Sequence, residues 1–402
     1  TVRRVLKGEL CSGCGLCAGV AQGAIRMQPT PPGYDRPVVQ GPVSAAAERI
    51  IAEACPGAVA APWTGAPTIH PYWGPYRQVH TGASTDARIR FHGSSGGAIS
   101  GLLIHALEVG LVDRVVHVGA DPAHPTRNAT LVSRTADEIL AGAGSRYTSS
   151  SPLADLDRML AEGGKMAFVG KPCDVSALRL AARRDPRIEA HVPLVLSFFC
   201  GGVPSHDGVL RILKTMGVAE EPLSGFRYRG RGWPGKCVAE TAGGRTEEMS
   251  YADSWGHHLS KEVQFRCKIC PDAVGGVADI ACADAWYGDE DGYPSFEEEE
   301  GRSLVMCRTE AGERLLASAL AAGALDLQPL PVEEIDRMQP AQARRKRLVL
   351  ARSSALVFAG QPRVRMAGLG VAEAARRAAP MEALRNLVGT IRRTLQGRRS
   401  RL

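Results

Sequence analysis

The sequence predicts a chain of mixed α+β and α/β class in three segments. A cysteine-bearing module covers residues 1–62, an α/β domain covers 63–335, and a basic, partly helical tail covers 336–402. Three observations predict this. Cysteines recur at fixed short spacing near the start, in Cys11-Ser-Gly-Cys14-Gly-Leu-Cys17. Short apolar runs then alternate with helical patterns as far as about residue 335, which is the signature of α/β organisation. Finally, charge is segregated. Asp336 to Leu402 carries 16 Lys and Arg against 3 Asp and Glu, about +13, whereas the preceding residues sum to about −6.

The first segment is defined by its thiols. Three cysteines separated by two residues each can wrap three irons of a [4Fe–4S] cluster, because one tight loop reaches adjacent corners of the cubane. A ferredoxin places its next cysteine, followed by proline, four residues after the third. Here that place holds Ala21-Gln22, and the Cys-Pro unit appears downstream as Cys55-Pro56. Cys11, Cys14, Cys17 and Cys55 therefore read as the ligands of half a ferredoxin, with one cluster kept and its twin lost. A tetrahedral zinc site is the competing reading of the same spacing. Gly15 frees backbone N–H groups to approach sulfide, and Ala24-Ile25 supplies an apolar cover.

A linker from Ala61 to Pro67 leads into the second segment. There the periodicity predicts a helix from Gly96 to Gly110, a strand from Val112 to Ala120 and a helix from Ser133 to Ala143. A buried strand, Met166 to Val169, ends at Gly170-Lys171-Pro172-Cys173, and Asp174 is expected to cap a helix running to Arg184. Val192 to Phe199 is a further buried strand, ending at Cys200-Gly201-Gly202. The acidic run Glu297 to Glu300 reads as a solvated loop.

Seven more cysteines follow. Cys173 and Cys200 lie at the carboxyl ends of predicted strands, where open α/β sheets collect ligand groups. Cys267-Lys-Ile-Cys270-Pro271 is a second C-x₂-C loop, and Cys282 lies twelve residues beyond it. A second [4Fe–4S] set is available from Cys267 and Cys270 with two of Cys173, Cys200 and Cys282. The preferred pair is Cys173 and Cys200, with Cys282 in reserve. Cys237 and Cys307 read as inert core thiols.

Two other stretches carry chemistry. His92-Gly93-Ser94-Ser95-Gly96-Gly97 precedes a helix, so its small residues and the helix N-terminus suit an anion. Beside two clusters, such a loop points to a flavin, which couples one-electron carriers to two-electron chemistry. Phe226 to Pro234 interleaves arginines with aromatics. This suits a phosphate clamp, a stacked ring or a solvated basic strand. Binding of nucleic acid is disfavoured, since the patch is short and the body acidic. His92 is the candidate proton donor, and His257-His258 are a weaker pair.

Composition is that of a globular enzyme, at 23% charged and 44% hydrophobic residues. No apolar run approaches the ~18 residues of a membrane span. The start leads straight into the cysteine loop without a signal peptide, so a reducing, cytoplasmic setting is expected, with the cysteines in metal or redox work. In the tail, a helix is expected from Pro380, with Met381, Leu384, Leu387, Val388, Ile391 and Leu395 on one stripe. Arg385, Arg392 and Arg393 lie off the stripe, and Arg398, Arg399 and Arg401 come after it. Such a helix docks on its own body or a second copy, on an acidic redox protein, or on a membrane surface.

Taken together the motifs resemble the coenzyme F420 hydrogenase/dehydrogenase beta-subunit family. That family includes deazaflavin-reducing subunits and relatives of hydroxymethyl-chlorophyll and divinyl-chlorophyllide reductases. The resemblance spans roughly residues 8–330. It rests on the first cysteine loop, Gly93–Gly97, Gly144-Ser145-Arg146-Tyr147, Gly170–Cys173, Phe199–Gly202, Cys267–Asp272, and Ala278-Asp279-Ile280 with Asp284. It implies FAD contacted by Ser94, Ser95, Gly96, Gly97, Ser145, Arg146 and Tyr147, and a [4Fe–4S] cluster close to it. It leaves the fourth ligand of that cluster open, since the family's residue at position 282 is apolar. Lys171 is not essential to the family's fold and is expected to compensate the charge of cluster or flavin. The expected function is an FAD and two-[4Fe–4S] oxidoreductase that takes electrons from ferredoxin or another redox protein to a small organic substrate. Alternatives are hydride exchange with coenzyme F420, and an electron-relay subunit, either of a larger complex or of a homo-oligomer.

Overall fold

The computed structural model describes residues 1–286 and 298–396. Glu297, Arg398, Arg399 and Arg401 lie outside the described residues. Among the described residues, eight strands form one mixed sheet. They are β1 (Gln78–Ser84), β2 (Arg114–Ala120), β3 (Asn128–Ser133), β4 (Met166–Gly170), β5 (Leu194–Phe198), β6 (Ile280–Asp284), β7 (Ser303–Cys307) and β8 (Leu325–Pro329). The spatial order is β8-β1-β7-β6-β5-β4-β2-β3. The middle four, β6, β5, β4 and β2, are mutually parallel, and the strands outside them pair antiparallel.

The parallel centre results from composition. Met166-Ala-Phe-Val-Gly170 is buried at every position, the continuous apolar run of a strand covered on both faces. Along Ile280–Asp284, Ile280 and Cys282 join the apolar layer that contains Leu102 and Leu316.

Five helices place the cysteines and the loops around them. Helix α1 (Ala45–Ala54) starts at Ser44, whose Oγ accepts from Ala47 N, and delivers Cys55 at its end. Helix α2 (Ala98–Glu108) starts at Gly97 (φ 75°), where a Cβ would stand 2.8 Å from the Ile89 carbonyl oxygen. Helix α3 (Pro172–Ala182) comes directly after β4. Helix α4 (Pro340–Phe358) and helix α5 (Pro380–Leu395) close the chain.

Two capping expectations are corrected. Asp174 is the third residue of α3 rather than its cap. Pro172 takes the first position, Lys171 precedes it, and Asp174 Oδ2 accepts from Lys171 N at 3.0 Å. Ser133 ends strand β3, and the helix expected to begin there runs over Ala136–Ala141 from a Thr135 cap.

The last segment departs further from the expected basic tail. One apolar cluster takes Val5, Leu10 and Cys11 from the first segment, Trp63, Trp73 and Ile269 from the second, and Val349, Leu356 and Val371 from the third. Helix α4 is thus a core element. Helix α5 forms as expected from Pro380, but it packs through its polar side. Thr390 and Thr394 are buried, Glu382 accepts from Arg344 at 2.6 Å, and Asn386 accepts from Arg352 at 3.0 Å. The apolar stripe faces mostly away: Met381, Leu384, Val388 and Leu395 are between 53% and 73% exposed.

Candidate functional site

The first four cysteines line one cavity, together with Val2, Val5, Leu16, Met27, Pro37 and Ile51. Local chemistry shapes the loop. Gly13 and Gly15 have φ of 82° and 85°, so the backbone turns left-handed twice between the thiols. A Cβ at Gly15 would stand 2.6 Å from Ala154 N. The loop is stapled to the 149–154 segment, with Leu153 N donating to Cys14 O at 3.0 Å and Ser151 Oγ to Gly13 O at 2.8 Å. Cys55 arrives from the end of α1.

Cys173, Cys200, Cys267 and Cys270 line a second cavity with Arg266, Asp272 and Arg345. Cys173 lies just past β4 and Cys200 just past β5, so two ligand candidates come from the carboxyl ends of neighbouring parallel strands. The other two come from the short helix Phe265–Lys268 and the turn after it. Cys282 is elsewhere. It is 4% exposed within the apolar layer under α2 and is not part of the second cavity's lining. Cys237 and Cys307 are buried strand residues, as expected of core thiols.

The two cavities adjoin. Ser12 lines both, and its buried Oγ has no hydrogen-bond partner among the described residues. Gln264 Nε2 reaches Ser12 O at 3.4 Å and Cys267 Sγ at 3.5 Å. Lys171, behind the second cavity, donates to Ser150 Oγ at 2.6 Å and pairs with Asp174 at 2.8 Å. Burial disfavours its charge, but Asp174 and the nearby Cys173 outweigh this and hold Lys171 cationic.

The thiols sit in an environment that opposes free thiolates. Burial, reinforced by the neighbouring Cys11, pushes Cys55 up to about 11. Burial also pushes Cys14 and Cys173 well above the usual thiol value, and Cys200 to about 12. Among the described residues, no three His, Cys, Asp or Glu side chains converge closely enough to hold one metal ion.

Sequence reading missed what α4 does here. Three of its basic side chains, Arg345, Lys346 and Arg352, reach the backbone around the second cysteine set. Arg345 donates to Cys200 O at 3.0 Å and to Gly201 O at 2.7 Å. Lys346, 5% exposed, donates to Pro271 O and Leu369 O and lies 3.7 Å over the Trp63 ring. Arg352 donates to Lys268 O at 2.8 Å. The available signal was the concentration of Arg and Lys in 344–352 within a segment that also carries apolar residues.

The turns expected to contact flavin lie together. Ser94 Oγ accepts from Ser145 N at 2.5 Å. Ser95 Oγ contacts Ser303 Oγ, which accepts from Gly96 N. Tyr147 packs against Tyr228 and Trp255. Arg146 is occupied by the protein itself, donating to Asn128 Oδ1 and to the carbonyls of Phe226, Pro125 and Arg127. It therefore fixes this turn rather than presenting a free fork. The Phe226–Pro234 stretch is not a solvated strand. Phe226, Tyr228, Arg229 and Trp233 are buried, and Arg229 grips Asp284 with two bonds of 2.7 and 3.0 Å beneath Tyr251 and Trp286. His92 Nδ1 contacts Arg88 O at the end of its own helix, and His257 pairs with Asp253.

Two family models match the chain, both described as coenzyme F420 hydrogenase/dehydrogenase, beta subunit. The model of the N-terminal part covers residues 79–156, and the model of the C-terminal part covers 163–333. The chain belongs to the coenzyme F420 hydrogenase/dehydrogenase beta-subunit family. The matched residues include β1 to β8 and all of the second cysteine set, whereas the first set lies before them. Within this family the chain is 26% identical to the coenzyme F420 hydrogenase subunit beta of Methanothermobacter thermautotrophicus, over 65% of this chain and 87% of that one. It is 25% identical to the coenzyme F420-dependent sulfite reductase of Methanocaldococcus jannaschii, over 64% of this chain and 39% of that one. It is also 25% identical to the chloroplastic 7-hydroxymethyl chlorophyll a reductase of Oryza sativa, over 58% and 47%. The fold matches a chain of the F420-reducing [NiFe] hydrogenase complex from Methanosarcina barkeri, with a TM-score of 0.54 at 22% identity, covering 71% of this chain and 96% of that one. These family members are oxidoreductases or subunits of them, and this chain is a redox protein of the same general kind. Among the described residues, no helix is long and apolar enough to cross a membrane.

Proposed function

We propose that this protein is an iron–sulfur flavoprotein that carries electrons from a ferredoxin-type donor to an organic substrate. The observation that carries this reading is that eight cysteines fall four by four around two adjoining cavities, with Ser12 lining both. Cys11, Cys14, Cys17 and Cys55 would hold one [4Fe–4S] cluster, and Cys173, Cys200, Cys267 and Cys270 the other. FAD would lie against the Ser94–Gly97 loop and the Ser145–Tyr147 turn. Bound there, the clusters would supply one-electron relay, and FAD its coupling to two-electron reduction.

The chain's own groups fit that assignment. The Gly13 and Gly15 turns leave backbone N–H groups close to the thiols. Val203 N and Gln264 Nε2 already point at Cys267 Sγ, at 3.4 and 3.5 Å. The cations Arg266 and Arg345 offset the anionic charge that four thiolates would bring. A four-sulfur set spread around a cavity suits a multi-iron cluster better than one zinc ion, which needs every sulfur about 2.3 Å from a single centre. The test is anaerobic reconstitution followed by iron, sulfide and flavin analysis. About eight irons and one flavin per chain are expected, while a protein that takes up zinc alone defeats the reading.

A second reading is hydride exchange with coenzyme F420, favoured by the relatives named for that coenzyme. Reduction of the deazaflavin in a cuvette separates it from the first. A relay role within a larger complex is the third, supported by the match to a hydrogenase complex chain. It predicts electron uptake without turnover of any small substrate. His92 remains the proposed proton donor where one is required.

A further inference from the structure

One side chain belongs to both cysteine sets. Arg266, 3% exposed, donates through Nε and Nη2 to Pro56 O at 3.1 and 2.9 Å, the carbonyl next after Cys55. The same guanidinium lines the second cavity together with Cys173, Cys200, Cys267 and Cys270. Its charge acts on Cys11 and Cys55 on one side and on Cys173, Cys267 and Cys270 on the other. Arg345 touches the second cavity only.

We propose that Arg266 is a positioning residue shared by the two redox centres, whose single buried charge raises the reduction potential of both and moves them together. The proposal rests on the two-cluster reading above. Adding an electron to either centre adds negative charge, so a cation held between them favours reduction at each. Charges buried at this depth are screened little by salt, and net charge and hydrogen bonding near sulfur are known determinants of cluster potential. Arg266 also staples the Pro56 turn to the second cysteine loop, so a purely structural role is the alternative to be separated.

The experiment is an EPR-monitored redox titration of the full-length holoprotein, with Cys11→Ser used to assign the two signals. In Arg266→Gln each couple should shift about tenfold toward the oxidised form, 59 mV for one electron. Arg345→Gln should shift the second couple alone. Arg266→Lys, which keeps the charge, should leave both within threefold of wild type even though the fork to Pro56 is lost. Arg266→Gln with only one couple moved, or neither, overturns the proposal. So does Arg266→Lys moving the couples as far as Gln does, which is the structural outcome, or Arg345→Gln moving both. If the Gln variant does not take up its clusters, Arg266→Lys decides: both couples within threefold supports shared charge, and a tenfold move in either couple overturns it. A wild-type protein with one signal or about four irons instead defeats the two-cluster reading itself.

Discussion

The two cavities present the same number of cysteines, four each, and differ in what surrounds them. The first is walled by Val2, Val5, Leu16, Met27, Pro37 and Ile51. The second is walled by Arg266, Asp272 and Arg345, with Lys171 behind it. An apolar wall disfavours the extra negative charge of a reduced centre, and a cationic wall favours it. The difference orders the pair: the first site would be the stronger reductant, and electrons would fall toward the second. On the proposed two-cluster function, a relay would take its direction from neighbours rather than from ligands.

The largest test of this comparison is removal of a ligand. Cys267→Ser or Cys270→Ser should cut iron from about eight to about four per chain and abolish flavin reduction by ferredoxin. Cys11→Ser or Cys55→Ser should lose the same amount yet leave the second signal intact. Cys282→Ser should keep full iron, and loss of iron there would break the assignment of the second set.

A smaller effect is expected at Lys346. Lys346→Met leaves the Pro271 and Leu369 carbonyls without their donor in a buried site. Each orphaned buried group costs about 1–3 kcal/mol, so the denaturant midpoint should fall. Iron loss, where it occurs, should be confined to the second site. Equal loss from both sites would show that α4 supports the whole molecule and has no preference for this cavity.

The smallest effect concerns α5. Arg385→Glu with Arg392→Glu alters two exposed positions and should leave iron, flavin and stability unchanged, since such surface changes stay within about 0.5 kcal/mol. If an acidic donor docks there, its reduction rate should fall several-fold at low salt and converge with wild type at high salt. Identical rates at both salts would remove α5 as the landing site.

Much of the site was legible in the sequence because thiolate spacing is a local signal. Cys-x-x-Cys loops and the prolines after them marked Cys11, Cys14, Cys17, Cys55, Cys267 and Cys270 directly. The choice among Cys173, Cys200 and Cys282 was open because it depends on where each strand ends and on which face a strand residue turns to. Cys282 alternates with Ala281 and Ala283 and falls under α2. What escaped were pairings across long stretches of chain. Arg345 meets Cys200 O from 145 residues away, and Arg229 meets Asp284 from 55. A run of arginines reads as solvated until the carbonyls and carboxylates that receive it are known. The same reasoning failed on α5, where the stripe was legible but not the face it would turn to solvent.

Helix α4 has a consequence for the order of events in the cell. It emerges during synthesis after all eight proposed ligands and then fastens the Cys200, Lys268 and Pro271 backbone from outside. A ribosome-bound chain that has not yet made residue 340 has every thiol but lacks this clasp. On the proposed function, a second centre would be installed before α4 docks, and docking would then close over it. Biogenesis of the protein would have a built-in last step, and a chain that closes around empty thiols would have to reopen its C-terminal helix to be rescued.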